Sequence, residues 1–158
     1  MEFYRIAFIG HRYIEGEYDL EDRIEEIVKE KLRQYVEEYV EFYVGRNGDF
    51  DISAASAVKR AQKALEIQNS SLILIQPYHM KDDPYYEKFY DEICYPLDRK
   101  THPKAAITKR NHWMISNADL LIAYVERERK GGALTALKFA EKQGVQIINL
   151  KENSPDKV

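Results

Sequence analysis

The sequence has a single cysteine, little net charge and no long apolar run, and each scarcity excludes a class of protein. Because Cys94 stands alone, the chain cannot form an internal disulfide or a multi-cysteine zinc site. No run approaches the roughly 20 apolar residues of a membrane span, so we expect no membrane partner. The net charge of −3 is unfavourable for general nucleic-acid binding, which requires concentrated Lys and Arg.

The chain length fits one domain. Its 158 residues suffice for a continuous hydrophobic core, and we predict that domain over residues 1–150, followed by a polar C-terminal tail at 151–158. The opening segment MEFYRIAFIGHR has no apolar stretch as long as that of a signal peptide. Together with the free thiol, this favours a cytoplasmic protein.

Short apolar segments alternate with amphipathic or alanine-rich ones, a pattern typical of parallel strands covered by helices. The predicted fold class is α/β, a Rossmann-like, doubly wound, five-stranded and mainly parallel sheet flanked by helices, in the order 3-2-1-4-5. Residues 79–102 are predicted as a long loop with a short helix, and Asp19 and Asp22 as the cap of the first long helix. The five strands are predicted at 4–10, 40–45, 71–78, 119–125 and 145–150.

Three loops should meet where ligands bind in such sheets, at the carboxyl ends of strands 1, 2 and 4. The first loop offers Gly10, whose missing Cβ permits a sharp turn or close approach to a ligand. His11 and Arg12 follow it as a titratable group and a bidentate anion ligand. A pairing of Arg12 with one of the nearby acids is the structural alternative.

The second loop, GRNGDFD, combines two glycines, Gly45 and Gly48, with Asn47, Asp49 and Asp51. Asp51 is placed to cap the helix that follows, a role that alone would explain it. Asp49 is a candidate acceptor for ribose hydroxyls. A metal site is the weaker interpretation, because paired carboxylates without further ligands are common on surfaces.

The third loop ends in KGGALT, where Gly131 and Gly132 open a helix. Backbone N–H groups, the positive end of the helix dipole and the Thr135 hydroxyl all suit a phosphate. As a pattern, a glycine pair before a helix is unspecific, since it is neither the dinucleotide fingerprint nor a P-loop. In the preceding helix, Trp113 and Met114 are predicted to be core residues.

Many of the twelve tyrosines lie in YVEEYVEFYV and DDPYYEKFYDEICY. Amphipathic packing is the expected role, with the ring buried and the hydroxyl in water. Base stacking by one or two of them is the minority alternative.

Several motifs together resemble the YpsA-like branch of the SLOG superfamily. They are FIGHR at the end of the first strand, GRNGDFDISAASAV after the second, ILIQPY at the third, and RNHWMISNADLLIAYVERERKGGALTALKFAEKQGVQIINL. The resemblance covers nearly the whole chain and is weakest over 79–105. The superfamily is Rossmann-like and includes the LOG phosphoribohydrolases, nucleotide-sensing domains of bacterial immune effectors and DNA-processing proteins.

The resemblance implies a nucleotide-derived ligand, such as an ADP-ribose derivative, with its phosphate over the glycine turn, and a homodimer. We expect no cofactor. Combined with the loops above, the predicted ligand-binding residues are Gly10, His11, Arg12, Gly45, Asn47, Gly48, Asp49, Asp51, Pro77, Arg110, Asn111, Gly131, Gly132 and Thr135.

The chain departs from the LOG enzymes at their catalytic segment. Lys130 and Leu134 replace a proline and a glycine of that motif, and Lys138 stands where the catalytic glutamate would be. A lysine cannot stabilise an oxocarbenium-like centre as a carboxylate does. The sequence therefore favours binding, by sensing or sequestration, over catalysis.

Two alternatives remain open. One is a nucleoside 5′-monophosphate N-glycosidase in which Asp49 or Asp51 supplies the carboxylate. The other is an interaction module that uses the acidic, tyrosine-rich helix predicted over 19–40.

Overall fold

A computed structural model describes residues 2–152 as a six-stranded parallel sheet with helices on both faces. The strand order is β4-β3-β2-β1-β5-β6. The strands are β1 (Phe3–Gly10), β2 (Tyr39–Val44), β3 (Ser70–Ile75), β4 (Glu92–Cys94), β5 (Leu120–Tyr124) and β6 (Gln146–Asn149). The helices are α1 (Leu20–Gln34), α2 (Asp49–Ala64), α3 (Asp83–Tyr86), α4 (Pro103–Ser116) and α5 (Gly132–Gln143).

The two faces of the sheet bury separate apolar clusters. Successive side chains of a strand point to opposite faces, so Ile6 and Phe8 of β1 pack with α1 and α2, while Ala7 and Ile9 pack with α4 and α5. Central strands buried on both faces need the continuous apolar runs that the sequence shows. The Rossmann-like, doubly wound prediction is confirmed, including the order of its five strands.

The sheet has a sixth strand that the sequence analysis missed. β4 is only three residues long and pairs with β3 at the sheet edge, within the segment expected to be a loop. Its register is held from both ends, because Gln76 N–H donates to the Cys94 carbonyl at 2.9 Å and Leu72 N–H to the Asp91 carboxylate at 2.7 Å. Such a short strand lacks the alternating pattern that would reveal it.

Two helix starts differ from their predictions. Asp19 does precede α1, but its side chain makes no capping hydrogen bond, so the predicted capping box is wrong. α2 begins at Asp49 with Gly48 as its N-cap, which puts Asp51 in the first turn rather than at the cap. Asp51 reaches back instead, and its carboxylate accepts the Asn47 N–H at 2.8 Å.

Within residues 2–152, no helix has the length and apolar character needed to cross a membrane. Of the predicted tail, Lys151 and Glu152 form ion pairs with Glu126 and Arg127, at 3.2 Å and 2.5 Å. The remainder of the tail, 153–158, lies outside the described residues. The domain bounds of 1–150 stay a prediction.

Candidate functional site

A crevice of about 290 Å³ opens at the carboxyl ends of β1, β2 and β5. α4 closes one side, and the N-terminus of α5 forms another wall. Ten of the predicted ligand-binding residues line it together, although they come from four separate segments of the sequence. These ten are Gly10, His11, Arg12, Gly45, Asn47, Asp51, Arg110, Asn111, Gly131 and Gly132.

Arg110 is a buried side chain that connects the second loop to the end of β3. Only 3% of it is exposed, and its guanidinium donates to the Ile75 carbonyl at 3.0 Å, Asn47 Oδ1 at 2.7 Å and Asn111 Oδ1 at 2.9 Å. Burial lowers the pKa of Arg110, and the nearby Asp51 carboxylate opposes that shift. Arg110 thus fixes the second loop to β3 and adds a positive charge to the crevice wall.

Close packing explains three of the site glycines. A Cβ at Gly10 would lie 2.3 Å from the Phe50 ring, one at Gly45 2.8 Å from Arg110 Nη1, and one at Gly48 2.4 Å from the Arg12 Cα. Real Cβ atoms do not approach other atoms this closely, so each position needs glycine for the protein's own packing.

The N-terminus of α2 is occupied by the protein's own backbone. Asp49 N–H donates to the Arg12 carbonyl at 2.8 Å, and Phe50 N–H to the His11 carbonyl at 3.4 Å. The Asp49 carboxylate accepts the Ile14 N–H at 2.9 Å. The first loop therefore caps α2, and Asp49 holds that loop in place.

The N-terminus of α5 is open in comparison. No described side chain caps it, and its first turn carries no acid. A Cβ at either Gly131 or Gly132 would meet nothing within 4 Å. Gly131 has a φ of +148°, which favours glycine, whereas neither backbone conformation nor packing requires a glycine at position 132. The first N–H groups of a helix lack intrahelical partners, so this end offers donors and a positive dipole to the crevice.

His11 joins the first and third loops. Its Nε2 accepts the Glu126 N–H at 2.8 Å, which assigns the neutral ring with its proton on Nδ1. The ring is buried and packs edge-on against Tyr124. Burial is the main cause that lowers the pKa of His11, with the charges of Arg129 and Lys151 acting in the same direction and Glu126 opposing them.

Asp51 is the one acidic side chain among the described residues of the crevice wall. Burial raises the pKa of its carboxyl group, while the Asn47 N–H and the charges of Arg110 and Arg12 oppose the shift. Four cationic side chains share the wall, namely Arg12, Arg110, Arg129 and Lys130. The crevice as a whole is therefore electropositive and suits an anion.

Four predicted residues lie outside the crevice lining. Gly48 packs against Arg12 and Asp49 holds Ile14, as described above. Pro77 lines two other clefts beyond β3. Thr135 is exposed, and its hydroxyl donates to the Gly131 carbonyl at 3.0 Å, which ties the turn to the helix.

Several lining residues were not predicted. Arg129 reaches across the crevice mouth and donates to the Tyr13 carbonyl at 3.1 Å. These two residues are 116 positions apart, so no local motif links them. Arg129 and Lys130 stand in a charged run that the sequence alone presents as a solvated loop. The other unpredicted lining residues are Phe8, Ile9, Tyr13, Ile107 and Ala133.

The described residues contain no group of three or more His, Cys, Asp or Glu side chains arranged to hold a metal ion. No family model matches the sequence, and no curated protein matches it.

Solved structures share the fold at low sequence identity. DNA processing protein A from Streptococcus pneumoniae matches with a TM-score of 0.65 and 14% identity, over 92% of this chain and 49% of that one. DNA processing protein A from Helicobacter pylori, described for its single-stranded DNA binding mode, matches with a TM-score of 0.61 and 16% identity, over 91% and 63%. The Chlamydomonas rheinhardtii Moco carrier protein matches with a TM-score of 0.54 and 11% identity, over 92% and 74%.

These likenesses support the Rossmann-like fold and leave membership of the SLOG superfamily a prediction. The chain spans about half of the Streptococcus protein and under two thirds of the Helicobacter protein. At this level of identity the likeness extends to the fold alone, and the YpsA-like branch stays a prediction.

Proposed function

We propose that the protein binds a nucleotide-derived small molecule, whose phosphate lies against the N-terminus of α5, and that it senses or sequesters this ligand. The observation that carries the proposal is Gly132. Packing explains the glycines of the first two loops, whereas Gly132 faces open space and begins an uncapped helix beside a cationic wall. A phosphate would use that space, the free N–H groups and the positive dipole together.

Binding without turnover is supported by the residues that surround the phosphate position. Lys138, at the place of the glutamate in the LOG enzymes that the sequence resembles, is exposed on α5. Among the residues that the structure describes, the crevice wall holds four cations and a single carboxylate. This arrangement favours a stable complex with an anion over the two-carboxylate chemistry of glycoside hydrolysis.

Native mass spectrometry of the purified protein tests the proposal. The panel contains mononucleotides, cyclic nucleotides, ADP-ribose and a short single-stranded oligonucleotide, the last because of the DNA-binding mode of the Helicobacter protein. A nucleotide-sized mass that is retained or added without change of the ligand supports binding. No shift with any member of the panel contradicts it and favours the interaction module.

Gly132→Glu should abolish binding, because the side chain fills the open space and places a negative charge at the helix start. Gln143→Glu is the matched control, since it adds the same charge at the exposed far end of α5. Equal affinity of the Gly132→Glu variant and the wild-type protein would show that the phosphate does not bind at this position.

Asp51 favours a second candidate function, N-glycosidase activity on a nucleoside monophosphate. It lines the crevice, and burial raises the pKa of its carboxyl group, as general acids require. Asp49 is the weaker choice because it lies outside the crevice lining, where its carboxylate accepts the Ile14 N–H. Release of free base from a nucleotide panel, lost in Asp51→Asn, would establish the enzyme. Intact nucleotides after prolonged incubation would exclude it.

The predicted homodimer and the cytoplasmic location belong to the same proposal. Both follow from the resemblance and the composition rather than from contacts of the described residues. Light scattering at several protein concentrations measures the assembly state directly, and a monomer throughout would contradict the homodimer.

A further inference from the structure

A concave surface that shares no lining residue with the crevice lies between α2 and residues 85–90. We call it the aromatic groove; its volume is about 650 Å³. Tyr85, Phe89 and Ile52 expose 76%, 43% and 60% of their surfaces. Exposed apolar patches of this kind mark sites of association with another molecule. The other lining residues of the groove are Arg46, Ala55, Ser56, Tyr86, Lys88 and Tyr90.

The aromatic groove is also cationic. Arg46 and Lys88 are exposed there, and neither forms an ion pair with another described residue. The guanidinium carbon of Arg46 lies 3.5 Å from the centroid of the Tyr86 ring, so this cation is held against the groove wall. The described lining residues include no acid. An occupant should therefore combine an aromatic or apolar side chain with negative charge.

Another exposed segment of the chain has that composition. Residues 13–19, YIEGEYD, lead from the first loop to α1, and we call them the tyrosine loop. Tyr13 and Tyr18 expose 76% and 97% of their surfaces. Glu15 and Asp19 are exposed beside them and pair with no cation of the described chain. Of the nine large apolar side chains exposed on the described residues, five lie in this loop or in the aromatic groove.

The tyrosine loop is held at two points although its tyrosines are exposed. The Ile14 N–H donates to the Asp49 carboxylate at 2.9 Å, and the Tyr124 hydroxyl donates to the Glu17 carboxylate at 2.7 Å. Between these two bonds, Gly16 has a φ of +73°, and a Cβ there would meet nothing within 4 Å. The loop therefore projects from the surface in a defined turn. Such a preformed segment loses little conformational freedom when it binds.

We infer that the aromatic groove of one copy of the chain binds the tyrosine loop of a second copy. Tyr18 would lie against the exposed rings, and the acids of the loop would lie beside the cations of the groove. Both surfaces adjoin the start of α2, since Ile14 is bound to Asp49, and Ile52, three residues further along the helix, lines the groove. A two-fold axis near this point would give two identical contacts and a closed dimer. The inference rests on the predicted homodimer and specifies its interface.

Sedimentation velocity of the full chain at several concentrations measures the Kd of the dimer. Tyr18→Ala should raise this Kd at least about tenfold, because a buried aromatic side chain carries much of the binding energy of an interface. Phe3→Ala is the control, since Phe3 is 47% exposed at the amino end of β1, outside both surfaces. Thermal denaturation establishes that each variant is folded. An unchanged Kd in Tyr18→Ala would overturn the inference.

Charge reversal tests whether the two surfaces bind each other. The groove variant carries Arg46→Glu with Lys88→Glu, and the loop variant carries Glu15→Lys with Asp19→Lys. Each variant alone should be monomeric at concentrations at which the wild-type protein dimerises, because like charges then meet in both contacts. An equimolar mixture of the two should restore the dimer, since each mixed contact again joins opposite charges.

The control for the loop variant is Glu30→Lys with Glu37→Lys. It makes the same change of net charge at two exposed positions outside both surfaces. This control should dimerise alone and should not restore a dimer with the groove variant. If it restores that dimer as well as the loop variant does, net charge explains the result and the inference is overturned.

The remaining outcomes separate the interface from the rest of the proposed function. A wild-type protein that is monomeric at every concentration contradicts the predicted homodimer and this inference, while the nucleotide panel still tests the crevice. A dimer that persists in both charge variants overturns this interface alone. Binding of a single-stranded oligonucleotide that is lost in the groove variant, with the dimer intact, would assign the groove to nucleic acid and also overturn the inference.

Discussion

Two helices begin with glycines at the crevice, and their first turns differ in what occupies them. At α2, Gly48 packs on Arg12, and the carbonyls of His11 and Arg12 accept N–H groups of the helix. At α5, Gly131 and Gly132 face open space, and no described side chain caps the turn. The sequence presents both as glycine turns, but only one has its donors unused by the protein.

The charges reinforce this difference. The first turn of α2 carries Asp49 and Asp51, whereas that of α5 carries no acid and follows Arg129 and Lys130. An anion at α2 would meet like charges, and an anion at α5 would meet cations and a positive dipole. The first turn of α2 therefore has a structural role, and we propose that the first turn of α5 binds the ligand.

Arg110→Met should give the largest loss of stability, because it removes the buried guanidinium that holds the loop before α2 to the end of β3. The Ile75 carbonyl and Asn47 Oδ1 would lose a buried charged donor, and Asp51 would lose a compensating charge. We expect a loss of about 3 kcal/mol or more in the free energy of unfolding, measured by urea denaturation. Arg129→Met, at an exposed arginine, is the control. Similar stabilities of the two variants would show that Arg110 does not hold the loop before α2 in place.

Gly48→Ala should also destabilise the fold. Its Cβ would lie 2.4 Å from the Arg12 Cα and 2.7 Å from the Arg12 carbonyl oxygen, so backbone must move. Overpacking of this kind costs about 1–3 kcal/mol. Thermal denaturation measures the change, and an unchanged midpoint would show that the first loop adapts easily and that packing does not explain the glycine.

The sequence was sufficient to predict the sheet and most of the crevice for a physical reason. Continuous apolar runs such as DLLIAYV are required of strands buried on both faces, and strand order then brings their carboxyl ends together. Gly10, Asn47 and Arg110 could therefore be grouped before any coordinates were known. β4 could not, because its pairing depends on the Asp91 carboxylate and Gln76 rather than on a local pattern.

The roles of the grouped residues were less predictable than their positions. Asp49 was expected to contact a ribose and instead holds Ile14 N–H, since the first loop folds over the start of α2. Tyr85 belongs to a tyrosine-rich segment for which packing was expected, yet 76% of it is exposed. Tyr90, from the same segment, is buried. Only tertiary packing separates two tyrosines of one short segment.

Gly132→Ala sharpens the comparison from the α5 side. No protein atom within 4 Å obstructs the new methyl group. Replacing Gly by Ala raises the free energy of unfolding by about 0.4–1 kcal/mol, because it lowers the conformational entropy of the unfolded chain. Stability should therefore hold or rise slightly, while phosphate affinity falls about tenfold, or 1.4 kcal/mol, because the methyl group occupies ligand space. Calorimetric titration with the tightest-binding nucleotide measures it. Unchanged affinity would show that the ligand does not occupy the space beside Gly132.

The smallest expected effect is a pH dependence of stability that arises from His11. This residue connects the first loop, at the start of α2, with the third loop, before α5. Burial lowers its pKa in the folded protein, whereas the unfolded chain has the ordinary value of about 6.5. Above that value both states are neutral and the stabilisation is complete. As the pH falls below it, the unfolded chain binds the proton first, so stability declines until the folded pKa is reached. A proton on Nε2 would also break the bond from Glu126 N–H. Denaturation midpoints from pH 7.5 to 5 should fall more steeply for the wild-type protein than for His11→Gln, and parallel curves would show that His11 does not link the loops.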